Sequence, residues 1–477
     1  MEYGFLSVLP PVLALFIAIK FKKISLALLI GVFFSHLILQ GWNPFSAVNA
    51  TVDGILGVWS SSDNLKIFLF TSLMGAFVLL VRVSGGVDGF VNFLTEKNKT
   101  IKSKRAAMLL TYIIGVIIFV DGLLSIMFTG VVTRSIFDKL KISREKLSYI
   151  CDSTSAPINA IIPLNSWGAM LMGLIGAQIS AGVISGEPLP LLMGSLPFQF
   201  YSIIALLVVL TLILTGKDFG PMKKAEERVE ATGKLYDDGV TPLLDDEDTS
   251  LAGAAKGKED KNNMTIPLIL LIAGTFVGLL ISGKGNITKG DGTTSILYAI
   301  ALTLIFMCIY YSAQKIMTLK EFGRYVYKGV AGMLSLVILL SLAFAIGRGV
   351  SALGTGHFLA GLTAGKVSGV FGPAIIFVLG VVISFCTGTS WGTFSIMMPI
   401  AIPMAVSMDS NILLTIGAVV SGGIFGDHCS PLSDTTILSS MSAGTDLYSH
   451  VKTQLPYALF SAAIAAVLFV AFGFILR

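Results

Sequence analysis

Residues 426–436 read Gly-Asp-His-Cys-Ser-Pro-Leu-Ser-Asp-Thr-Thr, and long apolar runs flank this polar segment on both sides. A charged side chain near the centre of a bilayer costs roughly 2.5–3.5 kcal/mol on insertion scales, so such residues mark ion or substrate pathways. Pro431 removes a backbone donor and Gly426 loosens the chain before it, which predicts a broken helix with free carbonyl and amide groups. The segment is a candidate cation site, and residues 151–157, Cys-Asp-Ser-Thr-Ser-Ala-Pro, have a similar character.

The composition indicates a polytopic membrane protein. Of the 477 residues, 54% are hydrophobic and 13% are charged, whereas a typical soluble domain has about 25% charged residues. The mean hydropathy is +0.84. The net charge of +5 does not indicate a nucleic-acid partner, because the basic residues lie in short loops, where they set orientation in the membrane. We therefore expect membrane lipid as the surroundings and no nucleic-acid partner.

The cysteines and the N-terminal run give two further expectations. The four cysteines lie in or beside apolar segments without CxxC spacing, so we expect neither a disulfide framework nor a zinc site. The first apolar run ends in Lys20, Lys22 and Lys23 without a small-residue cleavage site. We interpret it as a membrane span and not as a signal peptide.

Apolar runs long enough to cross a bilayer, about 20 residues each, fall into two groups. They lie near residues 5–19, 24–40, 66–82, 106–133, 155–185 and 190–215, and near 264–282, 293–311, 325–347, 370–386, 390–408, 411–426 and 453–476. Between the groups, residues 216–263 are rich in charge and include an acidic run over 237–248. This composition cannot form a packed core, so we expect a flexible or weakly helical acidic linker.

The positions of lysine and arginine predict the orientation in the membrane, because short cytoplasmic loops are rich in both residues. The basic loops are 20–23, 97–105, 134–146 and 311–328, whereas 41–65 and 283–292 are polar, glycine-rich or mildly acidic. The N-terminus is therefore predicted outside and the linker in the cytoplasm. Two basic loops flank the run 106–133, so this run cannot be a single crossing. We expect a re-entrant or broken pair bent around Val120-Asp121-Gly122.

The two groups of runs indicate an internal duplication. Residues 1–215 and 264–477 are nearly equal in length, and the first group starts outside whereas the second starts inside. Such halves are inverted repeats, which bind substrate and coupling ions near the midplane, where their broken helices meet. We predict an all-α polytopic membrane protein with two inverted-topology repeats and broken helices or re-entrant hairpins. The predicted domains are repeat 1 over 1–215, the linker over 216–263 and repeat 2 over 264–477.

The first polar cluster lies in repeat 1. Its members are Asp121, Asp152, Ser153, Thr154, Ser155, Asn159, Asn165 and Trp167. Sodium is a hard cation that suits carboxylate, hydroxyl, amide and carbonyl oxygens, and a helix break before Pro157 would add carbonyl groups. Individual serine, threonine and asparagine side chains commonly only hydrogen-bond across helices. The two aspartates are the better candidates for function.

The second polar cluster lies in repeat 2. It contains residues 386–393, Cys-Thr-Gly-Thr-Ser-Trp-Gly-Thr, followed by Asp427, His428, Ser430, Ser433, Asp434, Thr435 and Thr436. Asp427 and Asp434 lie on opposite sides of Pro431, and a helix break there would let both face one cavity. A carboxylate in such a place binds either sodium or a proton. A site that cannot hold both ions at once is what an antiporter requires.

The roles of the histidines and of one arginine stay open at this point. His428 adjoins a carboxylate and suits a proton relay, but a hydrogen-bonded structural role is an equal alternative. His36, His357 and His450 lie near the ends of spans, where we expect interfacial positions. Arg348 follows a long apolar run and is either a snorkelling end cap or a contact for an anion.

No enzyme motif competes with transport. The sequence lacks GxSxG, GxxxxGK[ST], HExxH and CxxC patterns, so an ATP-driven pump or an intramembrane metalloprotease has little support. A triad of Ser430, His428 and Asp427 is unconvincing, because sequence neighbours seldom form one and no oxyanion hole is evident. We expect a protein that is not an enzyme and that uses no cofactor.

The motifs at 426–436, 387–393 and 151–157 resemble the NhaC-type sodium/proton antiporter family of bacteria. The resemblance implies a secondary transporter of the ion-transporter superfamily in the inner membrane, with inverted repeats and a homodimeric assembly. Some similar proteins exchange or import organic acids or amino acids. The family's motif residues correspond here to Asp121, Asp152, Ser153, Thr154, Asn165, Thr387, Ser390, Trp391, Thr393, Asp427, His428, Ser430, Ser433, Asp434 and Thr435.

Three functional hypotheses follow. In the leading one, a sodium/proton antiporter works by alternating access, Asp427 and Asp434 alternate between sodium and protons, and Asp121 and Asp152 form the matching half-site. In the second, sodium or protons drive the transport of an amino acid or a small organic acid. In the third, the protein is a membrane-embedded sensor whose linker binds a partner.

Overall fold

The computed structural model describes residues 3–21, 23–86, 88–90, 93, 103–119, 122–236, 259–285, 290–355, 358 and 368–476. Within these ranges the chain is almost entirely helical and contains no β-strand. The predicted all-α class is therefore confirmed.

The first group of α-helices precedes the linker. It comprises α1 Leu9–Phe21, α2 Ile24–Leu39, α3 Pro44–Trp59, α4 Ser62–Val83, α5 Lys104–Ile117, α6 Gly122–Lys139, α7 Arg144–Ser153, α8 Ala156–Ile161, α9 Ser166–Ser180, α10 Pro188–Ser195 and α11 Phe200–Thr215. One helix, α12 Gly220–Thr232, lies in the linker.

The second group follows the linker. It comprises α13 Asn262–Ser282, α14 Gly292–Ala313, α15 Leu319–Gly332, α16 Leu334–Ala352, α17 Gly372–Thr387, α18 Ser390–Ser407, α19 Ile412–Cys429, α20 Asp434–Ala443 and α21 Leu447–Ile475. Within the described ranges, nine helical stretches are long and apolar enough to cross a membrane. A tenth results if Arg144–Ile161 and Ser166–Ser180, which meet at 42°, form one broken span.

The helix breaks predicted from sequence are present. The run 106–133 consists of two helices, since α5 ends at Ile117 and α6 begins at Gly122. Helix α7 ends just before Pro157, which lies in the first turn of α8, and α19 ends just before Pro431. Because proline has no backbone donor, both breaks fall where an uninterrupted helix would lose a hydrogen bond. Each break places polar residues at helix ends inside an apolar bundle.

Glycine permits a close contact between the two breaks of repeat 2. Gly388 ends α17 in the left-handed conformation, with a φ of +68°, which glycine adopts without the steric cost of a Cβ atom. A Cβ atom at this position would lie 2.5 Å from the carbonyl carbon of Leu432, in the break between α19 and α20. The start of α18 is thereby held against the segment that follows Asp427.

Helix α19 lies at the centre of the bundle. Its residues from Leu414 to Cys429 are all buried, and it packs on α17, α18, α21 and α11. Gly426 contacts the backbone of Ser384 on α17 so closely that a Cβ atom would lie 2.0 Å from the Ser384 carbonyl carbon. This close packing fixes the position of Asp427, the next residue along the chain.

The start of the linker is packed onto both groups of helices, since α12 contacts α7 and α21. Met222, Ala225 and Val229 form the buried stripe of α12, and the guanidinium of Arg228 on the same helix donates to both carboxylate oxygens of Glu145 at 3.0 Å. Sequence analysis predicted a flexible or weakly helical linker, whereas this part is a packed amphipathic helix. The acidic run over 237–248 lies outside the described residues, and the division into three domains stays a prediction.

Candidate functional site

A cavity of about 450 Å³ lies where three helix N-termini meet. The starts of α9, α18 and α20 contribute its polar lining, and apolar side chains of α16 contribute part of the rest. The lining residues that carry polar or aromatic groups are Ser25, Ser166, Trp167, Thr389, Ser390, Trp391, Asp427, Asp434 and Thr435. A helix N-terminus carries partial positive charge, so the three starts together favour an anionic group in the cavity.

Asp427 is the most strongly hydrogen-bonded acid of this cavity. Its Oδ2 accepts from the Ser390 hydroxyl at 2.7 Å, and its Oδ1 accepts from the hydroxyls of Ser433 at 2.7 Å and Thr435 at 3.2 Å. The Thr435 and Thr436 hydroxyls also donate to the Asp427 carbonyl oxygen, at 2.9 and 3.1 Å. The chain after the Pro431 break therefore folds back onto Asp427 and holds its carboxylate at the cavity wall.

Asp434 is a second acid of the cavity wall, at the first position of α20. Its Oδ1 accepts from the Thr435 amide at 3.0 Å, and the residue keeps an exposed surface in the cavity. The carboxyl groups of Asp427 and Asp434 lie close enough to interact electrostatically. The helix break brings both acids to one cavity, as the sequence predicted.

His428 is buried behind this wall and does not line the cavity. Its Nε2 is 2.8 Å from the Ser153 hydroxyl and its Nδ1 is 2.7 Å from the Tyr201 hydroxyl. Both ring nitrogens therefore have partners, on α7 and α11. Of the two alternatives left open by the sequence, this geometry favours the hydrogen-bonded structural role.

Asp152 of repeat 1 is also buried, and its partners come from α21. Its Oδ2 accepts from His450 Nε2 at 3.0 Å and from Gln454 Nε2 at 3.1 Å. The Gln454 amide also donates to the carbonyl oxygen of His428. Asp152 is therefore tied to the residue that follows Asp427, but it is separated from the cavity.

The expectation that His450 occupies an interfacial position is wrong, because its side chain is 0% exposed. The residue lies in the first turn of α21, as the sequence suggested, but this turn packs on α7 and α20. Gln454 and Tyr201 were also missed. His450 and Gln454, four residues apart at the start of an apolar run, were the sequence signal for polar partners on α21. Nothing in the sequence distinguished Tyr201.

Several other predicted site residues use their side chains locally. The hydroxyls of Thr154, Thr387 and Thr393 donate to carbonyl groups of their own helices, and that of Ser430 donates to the Phe385 carbonyl oxygen. Asn165 caps α9 and donates to the carbonyl oxygen of Phe119, in the break between α5 and α6. These five residues do not line the cavity.

Three residues that sequence analysis singled out are not among the described residues that line the cavity. Asp121 and His357 lie outside the described residues, although Gly122, beside Asp121, lines the cavity. Arg348 is half-buried on α16, 3.4 Å from the position that a Cβ atom of Gly57 would occupy. It does not line the cavity, and its role stays open.

Comparisons with known proteins agree with this architecture. The profile of the Na⁺/H⁺ antiporter family matches residues 164–474. An uncharacterised protein of Haemophilus influenzae is 31% identical over 98% of this chain and 91% of its own length. A malate-2H⁺/Na⁺-lactate antiporter of Bacillus subtilis is 38% identical over 93 residues, which are 20% of each protein. The YdaH transporter of Alcanivorax borkumensis has the same fold, with a TM-score of 0.62 over 89% of this chain and 88% of its own, at 14% identity.

The profile match extends over more than half of the chain and contains both cavity carboxylates. It confirms the resemblance drawn from the sequence motifs, and it identifies a family of transporters and not of enzymes. The chain belongs to the Na⁺/H⁺ antiporter family.

Proposed function

We propose that this protein exchanges sodium for protons by alternating access, with Asp427 as the carboxylate that binds either ion and Asp434 as its neighbour in the sodium site. The position of Asp427 carries the proposal. It is an acid at a helix break, it lies at the wall of a cavity, and its hydrogen-bond donors are all hydroxyl groups. In the same proposal the N-terminus lies outside, the linker lies in the cytoplasm of a bacterial cell, and the assembly is a homodimer.

Hydroxyl donors explain how one site serves both ions. A serine hydroxyl has one proton and two lone pairs, and it rotates to suit its neighbour. Around an ionised Asp427, Ser390 and Ser433 donate their protons to the carboxylate. When sodium arrives, the same hydroxyls turn their lone pairs toward the cation, and when Asp427 is protonated a hydroxyl oxygen accepts a hydrogen bond from its O–H group. Each state satisfies the local hydrogen bonds, but sodium and the proton cannot occupy Asp427 together.

The broken helices provide the moving parts. In inverted-repeat transporters, one bundle rocks against the other around a site formed by discontinuous helices. Here the site joins the start of α18 to the break between α19 and α20, and the backbone contact between Gly388 and Leu432 keeps these two parts together. We infer that they move as a unit while the rest of the cavity wall, including Trp167 of repeat 1, separates from them.

Sodium-driven proton movement in proteoliposomes tests the proposal. A sodium pulse on the outside should alkalinise the lumen without any organic solute, because sodium that enters is exchanged for protons that leave, and the Asp427→Asn variant should abolish this change. Asp409→Asn is the matched control, because Asp409 is exposed and has a φ of +53°, which asparagine tolerates. Normal exchange by Asp427→Asn would refute the assignment.

A second candidate function is the coupled transport of a small organic anion. The cavity holds about 450 Å³, far more than a sodium ion needs, and three helix N-termini surround it. The indoles of Trp167 and Trp391 meet edge to face there, with centroids 6.0 Å apart, and the Bacillus subtilis relative exchanges malate and lactate by its name. If ion movement in the same proteoliposomes appears only after a carboxylic or amino acid is added, this second function is correct.

A further inference from the structure

Helix α9 connects the cavity to the surface of the bundle. Ser166 and Trp167 at its start line the cavity, whereas Ser180 at its end is exposed. Helices α16 and α18 also contribute to the cavity wall, and each of the three helices packs on the other two. We call the common contact of these helices the α9 seam. It leads along α9 from the cavity toward the surface at Ser180.

Next to the cavity, apolar side chains close the α9 seam. The ring centroids of Trp167 and Phe394 are 6.3 Å apart. A Cβ atom at Gly173 would lie 3.2 Å from Phe344 and 3.3 Å from Leu340, both on α16. Phe344, Leu340 and Phe394 are buried. An unpaired ion is costly in such a low-dielectric layer, so the cavity is closed on this side.

Gln178 lies in the α9 seam beyond this apolar layer. It follows Ser166 by 12 residues, which correspond to about 18 Å along a helix axis. Its side chain is 0% exposed, and neither of its amide atoms has a hydrogen-bond partner within the described part of the chain. The Nε2 atom of Gln178 and the ring of Pro399 on α18 lie 3.2 and 3.8 Å from the position that a Cβ atom of Gly347 on α16 would occupy. The amide therefore faces both neighbouring helices.

Packing alone does not account for a glutamine at this position. An amide without a partner in an apolar interior is costly, and a leucine of similar size would fill the same space without that cost. The layer nearer the cavity consists of apolar side chains. In a transporter, an amide that has no partner in one state is explained if a partner reaches it in another state.

Two prolines of α18 supply further oxygen atoms beside Gln178. Pro399 and Pro403 lie inside this helix and have no backbone N–H group, so the carbonyl oxygens of Ser395 and Pro399 lack their intrahelical donor. Amide and backbone carbonyl oxygens are uncharged ligands that suit hard cations. The α9 seam therefore combines an unpartnered amide with two carbonyl groups that can turn to a cation.

We propose that Gln178 is a second sodium contact of the transport path, between Asp427 and the surface at Ser180. When the α9 seam opens in the alternate state, Gln178 Oε1 and the carbonyl oxygens freed by Pro399 and Pro403 bind the passing ion. The proposal rests on the proposed function, which supplies sodium as the ion and alternating access as the motion. Because these ligands carry no net charge, they hold sodium more weakly than the Asp427 carboxylate does, and the ion is released.

Reaction with a membrane-impermeant thiol reagent tests whether Gln178 lies on the path. The four native cysteines are replaced by alanine, and Gln178→Cys is then treated in right-side-out and inside-out membrane vesicles. We expect it to react only from the face from which the exposed Ser180→Cys reacts, and more slowly, because the α9 seam is open during only part of the cycle. The matched control is Ile67→Cys, which should not react from either face. Ile67 is buried against Gly176, which lies two residues before Gln178 and so on the other side of α9.

A pair of leucine variants of the native chain tests whether the amide acts on sodium. Gln178→Leu should lower sodium uptake driven by a proton gradient by roughly 10-fold, the scale of one lost polar contact to an ion. It should also raise the unfolding temperature, because it removes a buried, unpartnered amide. A glutamine with a merely structural role would not combine higher stability with slower transport.

The matched control for this pair is Gln199→Leu. Gln199 is likewise 0% exposed, and both of its amide atoms lack a partner among the described residues. It precedes α11, which contributes no described residue to the cavity lining. Gln199→Leu should raise the unfolding temperature and keep wild-type sodium uptake.

The opposite results would overturn the proposal. These are a Gln178→Cys variant that is as unreactive as Ile67→Cys or that reacts from the other face, wild-type uptake by Gln178→Leu, or an equal loss of uptake in Gln199→Leu. If the cysteine-free background does not transport or Gln178→Leu fails to fold, the other assay decides alone. Absence of sodium uptake in the wild-type protein refutes the proposed function itself, and the thiol reaction then still shows whether Gln178 lies on a path for another solute.

Discussion

The acids of the two polar clusters differ in their hydrogen-bond donors. Asp427 in repeat 2 accepts from three hydroxyl groups and lies at the cavity wall, whereas Asp152 in repeat 1 accepts from two N–H groups and does not line the cavity. A hydroxyl also offers lone pairs to a cation, but an N–H group cannot. Similar motifs, an acid followed by hydroxyl residues and a proline, therefore surround their acids differently: the hydroxyl groups bonded to Asp427 in the second cluster also suit a cation, whereas the N–H groups bonded to Asp152 in the first cluster do not.

The largest expected effect comes from removing the charge of Asp427 or of Asp152 and measuring sodium binding to the purified protein. Loss of the charge in Asp427→Asn should weaken binding by about 4 kcal/mol, or roughly 1000-fold, for a partly buried pair about 4 Å apart. Asp152→Asn should leave sodium affinity almost unchanged, because its carboxylate does not face the cavity. Equal losses in the two variants would show that both acids bind the cation and would remove the distinction.

Removing a hydroxyl donor of Asp427 should have the next largest effect on sodium affinity. Each of Ser390→Ala and Ser433→Ala removes one hydrogen bond to a carboxylate, and such bonds contribute about 1.5–3 kcal/mol. We expect sodium affinity to fall by roughly 10-fold or more in each variant, measured by isotope binding at constant pH.

A matched control for the hydroxyl variants lies on α18. Ser395→Ala removes a hydroxyl whose only described bond is to the Trp391 carbonyl oxygen within the same helix. Its sodium affinity should equal that of the wild type. If the control weakens binding as much as Ser390→Ala does, the effect arises from α18 as a whole and not from the contact with Asp427.

The sequence predicted the cluster of repeat 2 better than that of repeat 1. Gly426, Pro431 and the two aspartates lie within one short segment, so local chemistry alone predicted a break and two acids at one cavity. The partners of Asp152 are 298 and 302 residues away in the chain, and no local pattern reveals such a pairing. The sequence thus predicted a role for Asp152 but did not reveal the N–H donors that surround it.

Helix α7 adds a further asymmetry between the clusters. Its first turn is tied to the linker helix by Arg228 and Glu145, whose side chains are mostly buried. The same helix carries Asp152 at its other end, whereas α19, which carries Asp427, has no contact of this kind with α12 among the described residues. The linker helix is therefore tied to the helix that carries Asp152.

Breaking this anchor should have a moderate effect on stability. Removing one partner of a buried ion pair costs about 3–5 kcal/mol, and the partial exposure of Arg228 reduces this value, so we expect Arg228→Ala to destabilise the protein by about 2 kcal/mol. Thermal unfolding of the detergent-solubilised protein measures the change. Glu227→Ala on the same helix loses only an exposed pair with Lys223 at 3.8 Å and should unfold at the wild-type temperature. Equal stability of the two variants would mean that α12 does not anchor α7.

We expect the smallest effect on sodium affinity from hydroxyl groups that bond within their own helices. The family resemblance predicted that these groups belong to the site. Thr393 donates to the Thr389 carbonyl oxygen at 2.7 Å and contributes no atom to the cavity lining. Thr393→Val keeps the shape of the side chain and removes only this local bond, so sodium affinity should change by less than about 0.5 kcal/mol, because a neutral intrahelical bond has little net value. A loss as large as that of Ser390→Ala would require the Thr393 hydroxyl to turn toward the cavity in another state of the transport cycle. In that case the difference between the clusters would belong to one conformation and not to the protein.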